Sequence, residues 1–108
     1  MVSVKVNNDI ELTRGDSLVL DVVISSDNGS YVPSSGDSIR FAMKKHYTDE
    51  ECVINKDIPN DTMQLKIDPS DTKSLDFGKY VYDMQLTTSA GVVNTFVSGN
   101  FYLLEEVE

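Results

Sequence analysis

The sequence has no tryptophan, a single cysteine and a single histidine. With Cys52 alone no intramolecular disulfide can form, so the fold must hold without a covalent staple. With His46 alone, none of the paired-histidine spacings of zinc sites is present, and a catalytic triad would have one imidazole to draw on. No apolar run approaches the ~20 residues that span a bilayer, so no membrane partner is expected. The opening MVSVKVNNDIEL has neither a basic leader nor an uninterrupted apolar region, which leads to the expectation of synthesis in the cytoplasm. No glycine-rich phosphate cradle occurs, and no cofactor is expected. Basic residues are also scarce: nine Lys and Arg stand against eighteen Asp and Glu, a net charge of -9. Such a chain repels phosphate backbones unless its cations cluster, and the only adjacent pair is Lys44-Lys45. Nucleic acid is therefore not an expected partner, and the acidity reads as solubility.

What is present is a period of two. In DSLVLDVVIS, Leu18, Leu20, Val22 and Ile24 share one side, and Val19, Asp21, Val23 and Ser25 the other. SIRFAMKK alternates Ile39, Phe41 and Met43 with Arg40, Ala42 and Lys44. TMQLKI alternates Met63, Leu65 and Ile67 with Gln64 and Lys66, and KYVYDMQLT alternates Tyr80, Tyr82, Met84 and Leu86 with Val81, Asp83 and Gln85. Half-buried strands of this kind belong to antiparallel sheets. Turn residues separate them: Asn28-Gly29, which suits a type I′ turn, the loop VPSSGDS, Pro59 at a strand end, and Gly91. The segment DPSDTKSL is the one helix candidate, with Asp68 as cap and Pro69 in the first turn.

Strands are expected near 2–6 with 9–12, 17–25, 38–45, 51–57, 62–67, 79–88 and 92–104. With 108 residues and no internal repeat or linker, they predict a single domain over 1–108. The fold class is all-β: an immunoglobulin-like antiparallel sandwich of about seven strands, with at most one short helical turn near 69–75. Within it, SLDFGKYVYDMQL places Gly78 before a strand opening with Tyr-x-Tyr. Tyr80 is expected to be the corner tyrosine whose hydroxyl bonds back to the backbone. Tyr82 then takes the position that a disulfide cysteine holds in antibody domains.

Few motifs carry chemistry. Arg14-Gly15-Asp16 matches an integrin-binding tripeptide, but it directly precedes the strongest strand. Gly15 supplies free φ and Asp16 local hydrogen bonding, so it reads as a turn. A His46–Cys52 dyad has no oxyanion-hole or nucleophile-elbow signature beside it; His46 reads as a solvated hairpin end and Cys52 as a small hydrophobe. Asp49, Glu50 and Glu51, with Asn60 and Asp61, are the best oxygen ligands for calcium, yet match no calcium-loop spacing. No metal and no enzymatic activity is expected. The acidic end, with Glu105, Glu106 and Glu108, reads as a solvated strand end or a contact to a basic partner. Val19, Val23 and Val81, with Phe96 beside Val97, are apolar at outward positions and are the residues expected to form an oligomer or docking patch.

IELTRGDSLVLDVVIS, SDNGSYV, SGDSIRFAMKK, IDPSDTKSLDFGKYVYDMQLTT and VSGNFYLLEEV follow one another in an order that resembles the small immunoglobulin-like proteins of bacteriophage and prophage virions. The N-terminal domain of phage baseplate upper proteins is one example. The matching features are Gly15-Asp16 before the first long strand, Gly78 to Asp83 opening the penultimate strand, and Ser98 to Phe101 in the last. The resemblance spans about Asp9 to Val107. It implies a virion structural or assembly protein of the tail, baseplate or another part, made in the bacterial cytoplasm. Its implied partners are other virion proteins or further copies of itself. The alternative is an immunoglobulin-like binding module for a cell-surface carbohydrate or protein, for which Tyr31, Tyr47 and Tyr102 are the candidate aromatics.

Overall fold

The computed structural model describes residues 2–4, 9–26 and 29–106. Its strands are β1 (Val2–Val4), β2 (Ile10–Thr13), β3 (Leu18–Asp21), β4 (Ser25–Ser26), β5 (Gly29–Ser30), β6 (Ser38–Lys44), β7 (Ile54–Ile58), β8 (Gln64–Ile67), β9 (Gly78–Thr87) and β10 (Val93–Leu104). The helix α1 is one turn, Pro69–Thr72. One layer is a six-stranded sheet in the order β1-β2-β10-β9-β6-β7, and β3 pairs with β8 in a second. β4 and β5 form a small hairpin of their own. The fold is thus a small all-β, sandwich-like one.

One pair departs from the antiparallel expectation. β2 runs parallel to β10, from Ile10 opposite Phe101 to Thr13 opposite Leu104. The turn after Thr13 carries the chain across to β3 in the other layer, so β2 is free to lie beside the last strand in the same direction. The strand expected over 17–25 ends as a ladder at Asp21, although Val22 N–H still donates to Met63 C=O at 2.8 Å. Of the expected Asn28-Gly29 turn, Asn28 lies outside the described residues, and Gly29 opens β5 opposite Ser26.

The alternation seen in the sequence becomes the core. Leu18, Val22 and Ile24 face Leu65 and Ile67 within one layer, and Ile39, Phe41, Met43, Tyr80, Tyr82, Met84, Leu86, Phe101 and Leu103 form the inner face of the other. Fully burying one such aliphatic side chain contributes roughly 1.5–3 kcal/mol. At the centre Phe41, Tyr82 and Phe101 meet, with ring centroids 5.5 to 6.4 Å apart and mainly edge-to-face geometry. Gly99 lies opposite Tyr82 in the register.

Polar groups close both ends. At one, Tyr80 donates its hydroxyl to the Asp76 carbonyl at 2.6 Å, four residues upstream, and Lys45 Nζ stands 4.5 Å from its ring centroid. Gly78, with φ of +140°, opens this strand; a Cβ there would be strained, and would lie 3.2 Å from Lys45 Nζ. At the other end the buried Asp37 carboxylate ties three loops. Its Oδ2 accepts from the Tyr31 hydroxyl at 2.5 Å and from Ser34 N–H, and its Oδ1 accepts from Ser89 N–H at 3.1 Å. Asn60 Nδ2 donates to the Asp37 carbonyl at 2.8 Å.

Replacing Tyr80 by Phe removes one hydrogen bond to a backbone carbonyl at this corner and should cost about 1 kcal/mol or somewhat more. A urea transition checks it, and an unchanged midpoint would count against the corner's contribution. The Asp37 knot also sets a pH dependence. The Tyr31 hydroxyl first, then Ser34 N–H, holds the Asp37 carboxyl below its ordinary range. A depressed carboxyl stabilises the fold above its unfolded value near ~3.9 and loses that contribution as pH falls through the folded value. The melting temperature should therefore drop below about pH 4, and Asp37→Asn should flatten that limb while lowering the plateau. At the alkaline end burial first, then Asp9, pushes the Tyr82 hydroxyl up to about 12. Its contribution is present below its unfolded value near ~10 and is lost as pH rises through the folded one.

Candidate functional site

The groups with potential chemistry do not converge. His46 is exposed, and its backbone N–H donates to Asp49 Oδ2 at 3.0 Å, so Asp49 builds the turn after β6. Asp61 Oδ1 accepts from Thr62 N–H, and Asn60 is spent on the Ser34 and Asp37 carbonyls. Cys52 is a half-buried free thiol. Among the described residues no three His, Cys, Asp or Glu side chains are grouped to hold a metal ion.

The Arg14-Gly15-Asp16 tripeptide is a clamp. Arg14 Nη2 and Nε donate to Glu106 Oε1 at 2.8 and 3.2 Å, and Nη1 donates to the Leu75 carbonyl at 3.1 Å. The guanidinium also stands 5.3 Å from the Phe77 ring centroid. Gly15 N–H donates to the buried Thr72 hydroxyl at 2.9 Å, and Asp16 N–H to the Thr13 carbonyl at 3.0 Å. Lys73 adds a second cation to Glu106, whose carboxyl Arg14 and then Lys73 hold below the usual range. The acidic end therefore finds its basic partner within the chain. The tripeptide joins the β2–β3 turn, α1 and the segment after β10, and its arginine is not free for a receptor.

The four residues expected to form a contact patch are scattered. Val19, on the outer side of β3, and Val23, beyond the end of that strand, are exposed. Val81 is only 8 % exposed, which corrects its reading as surface. It sits on the central strand β9 between Lys44 and Asn100 of the neighbouring strands, and their longer side chains cover it. It lies in the opposite layer from Val19, so these two do not share one surface. Phe96 is corrected as well. The register of β10 on β9 shifts between Thr95 and Val97, and both Phe96 and Val97 pack against the core.

Two surface features bear on the expected binding residues. The larger is an open hollow of about 590 Å³ lined by Lys45, His46, Tyr47, Thr48, Lys79 and Val81, where the Tyr47 ring is 71 % exposed. Tyr31 is engaged with Asp37 on a different loop, so the candidate aromatics do not gather there. The second is a groove of about 170 Å³ between the layers, lined by Leu20, Asp21, Val22, Val23, Tyr82, Met84 and Val97. It reaches the core itself. It lies where β2 has stopped covering β10: the parallel pairing ends at Phe101, and among the described residues no strand flanks Val93–Asn100 on that side. Sequence reasoning missed this feature, although a signal was available: from Asp83 to Glu105 the chain carries no charged residue between them and no proline.

No protein-family model matches this chain, and no curated protein and no solved structure does either.

Gly15 has φ of +87°, and a Cβ there would lie 2.9 Å from the mobile end of Lys73 and 3.2 Å from Glu106 Oε2. Lys73 can yield, so backbone strain decides: Gly15→Ala should destabilise by about 1–2 kcal/mol. Urea unfolding reads this directly, and a neutral result would mean the turn relaxes without its clamp.

Proposed function

We propose that this chain is a non-enzymatic structural or assembly protein of a bacteriophage or prophage virion, acting through protein–protein contacts in the tail, baseplate or another part. The observation that supports it is the side of β10 from Val93 to Asn100 that no strand flanks among the described residues, where a tract without charged residues of its own lies over a largely apolar groove that opens to the core. A sheet edge of this kind invites pairing with another chain. An acidic surface elsewhere keeps a protein soluble during synthesis and leaves such an edge as its adhesive side. The resemblance in the order of its segments to virion immunoglobulin-like proteins supplies the setting, and synthesis in a reducing cytoplasm agrees with a fold that needs no disulfide.

A second reading, a binding module for a cell-surface carbohydrate, is favoured by the Tyr47 hollow, where an exposed ring stands with Lys45, His46 and Lys79. Aromatic faces beside hydrogen-bond donors suit sugar rings.

Mass spectrometry of gradient-purified particles from the phage or prophage that encodes the chain distinguishes the two. The virion reading expects the protein in a fixed ratio to known tail or capsid proteins, retained through a high-salt wash. Its absence from particles, together with glycan-array binding abolished by Tyr47→Ala, would replace that reading with the second.

A further inference from the structure

The cations of this chain are few and mostly engaged. Arg14 and Lys73 hold Glu106, Arg40 holds Asp57, Lys56 holds Asp71, and Lys44 Nζ donates to the Asp49 carbonyl at 2.7 Å. Lys45 and Lys79 form no ion pair among the described residues, and both line the hollow beside Tyr47. Lys66, likewise without an ion pair, stands on β8 in the other layer. Lys45 is nonetheless held in place. Its Nζ lies 4.5 Å from the Tyr80 ring centroid, and that ring is anchored through its hydroxyl to the Asp76 carbonyl. Gly78 keeps the position open, since a Cβ there would lie 3.2 Å from the same Nζ. A half-buried ammonium set on an aromatic face, with no carboxylate paired to it, keeps its hydrogen-bonding capacity for something else.

The rest of the lining suits a sugar. Tyr47 presents its exposed ring on a turn that Asp49 fixes by accepting from His46 N–H, and the His46 imidazole and Thr48 hydroxyl stand beside it. Tyr47 and Val81 also border a smaller hollow of about 130 Å³, where Lys44 and Asp83 offer a donor and an acceptor. Polar groups of both kinds around one exposed ring match the hydroxyls and the C–H face of a saccharide. Val81 is the single aliphatic residue of the larger hollow, which gives little to anchor a peptide side chain. Charge limits the ligand further. Glu50 and Glu51 are exposed on the same loop as Tyr47, and Asp83 borders the smaller hollow. A nucleic acid, with an anion at every phosphate, would run onto these carboxylates. A ligand with one anion per sugar or two would not.

From these features we infer that the Tyr47 hollow binds an acidic glycan, with a sugar carboxylate reached by Lys45 and Lys79 and a sugar ring set against Tyr47. This deepens the carbohydrate reading of the hollow, on which it rests, and holds whether or not the chain is carried in a virion.

Amide chemical-shift titration by NMR tests it. The full chain is titrated to millimolar concentrations with tetrasaccharides that alternate glucuronate or galacturonate with neutral sugars, with the same tetrasaccharides after reduction of their carboxyls, and with acetate. A uronate form should move the amides of Lys45, His46, Tyr47, Thr48, Lys79 and Val81 saturably. The carboxyl-reduced forms and acetate should each bind about tenfold more weakly, because each lacks one half of the recognition. Lys79→Gln and Tyr47→Ala should each weaken uronate binding about tenfold with an unchanged melting temperature, both side chains being exposed. Lys66→Gln, which makes the same change of net charge in the other layer, should bind as wild type does. Equal binding of the uronate and carboxyl-reduced sugars overturns the acidic preference alone and leaves the carbohydrate reading intact. No shift with any sugar overturns both. Acetate binding as tightly as the uronates, or a tetra-aspartate peptide binding more tightly at the same amides, overturns the glycan in favour of a simple anion or a protein partner.

Discussion

Two sheets with no disulfide between them are held by what fills the space they enclose, and here that filling is built on Phe41, Tyr82 and Phe101, three rings from the neighbouring strands β6, β9 and β10 of one sheet, which share one core cluster with Leu18, Leu65 and Ile67 of the other. The three ring contacts add roughly 0.5–1.5 kcal/mol each beyond simple burial and tie those strands together side by side. The rings at 5.5 to 6.4 Å also set the spacing that Ile39, Leu65, Ile67 and Leu103 fill around them. Tyr82 provides this ring from two residues beyond Tyr80, whose hydroxyl locks the start of the same strand to Asp76. One short stretch of β9 thereby fixes both the centre of the core and the corner through which the chain enters it.

The polar ties have a different task. The Asp37 knot joins the loops around residues 34, 60 and 89, and the Arg14–Glu106 clamp joins the β2–β3 turn to α1 and the segment after β10. Neither contributes much apolar burial. They fix which loops meet at each end, and so hold the layers in one relative placement. An adhesive tripeptide in this position would have to abandon that closure in order to be presented.

Most of the fold was legible because alternation depends only on neighbours in sequence: the inward sets on β3, β6, β8 and β9 follow directly from it. The corner tyrosine was legible for the same reason, its partner lying four residues away. What escaped depends on distant pairs. Arg14 and Glu106 are 92 positions apart, the parallel run of β2 beside β10 links the two ends of the chain, and no local signal announces either. Val81 has the pattern of an outward residue and is outward; only its place on a central strand, between Lys44 and Asn100, makes it covered. Phe96 was misassigned because a strict period of two does not allow for a bulge. The open edge was half legible: the absence of charge could be read in the sequence, but which side of β10 is uncovered follows only from where β2 stops.

The distribution of charge completes the physical picture. All eighteen acidic residues lie at or before Asp83 or at and beyond Glu105. The tract of β10 between those limits has no charge of its own, but carboxylates border it: Asp83 is the cross-strand neighbour of Ser98, and Asp9 Oδ1 accepts from Asn100 N–H. At physiological ionic strength the Debye length is about 8 Å, longer than the ~4.8 Å between neighbouring strands. The tract therefore lies within the field of the carboxylates around it, so an acidic partner is repelled there as elsewhere, and a neutral or basic one is not.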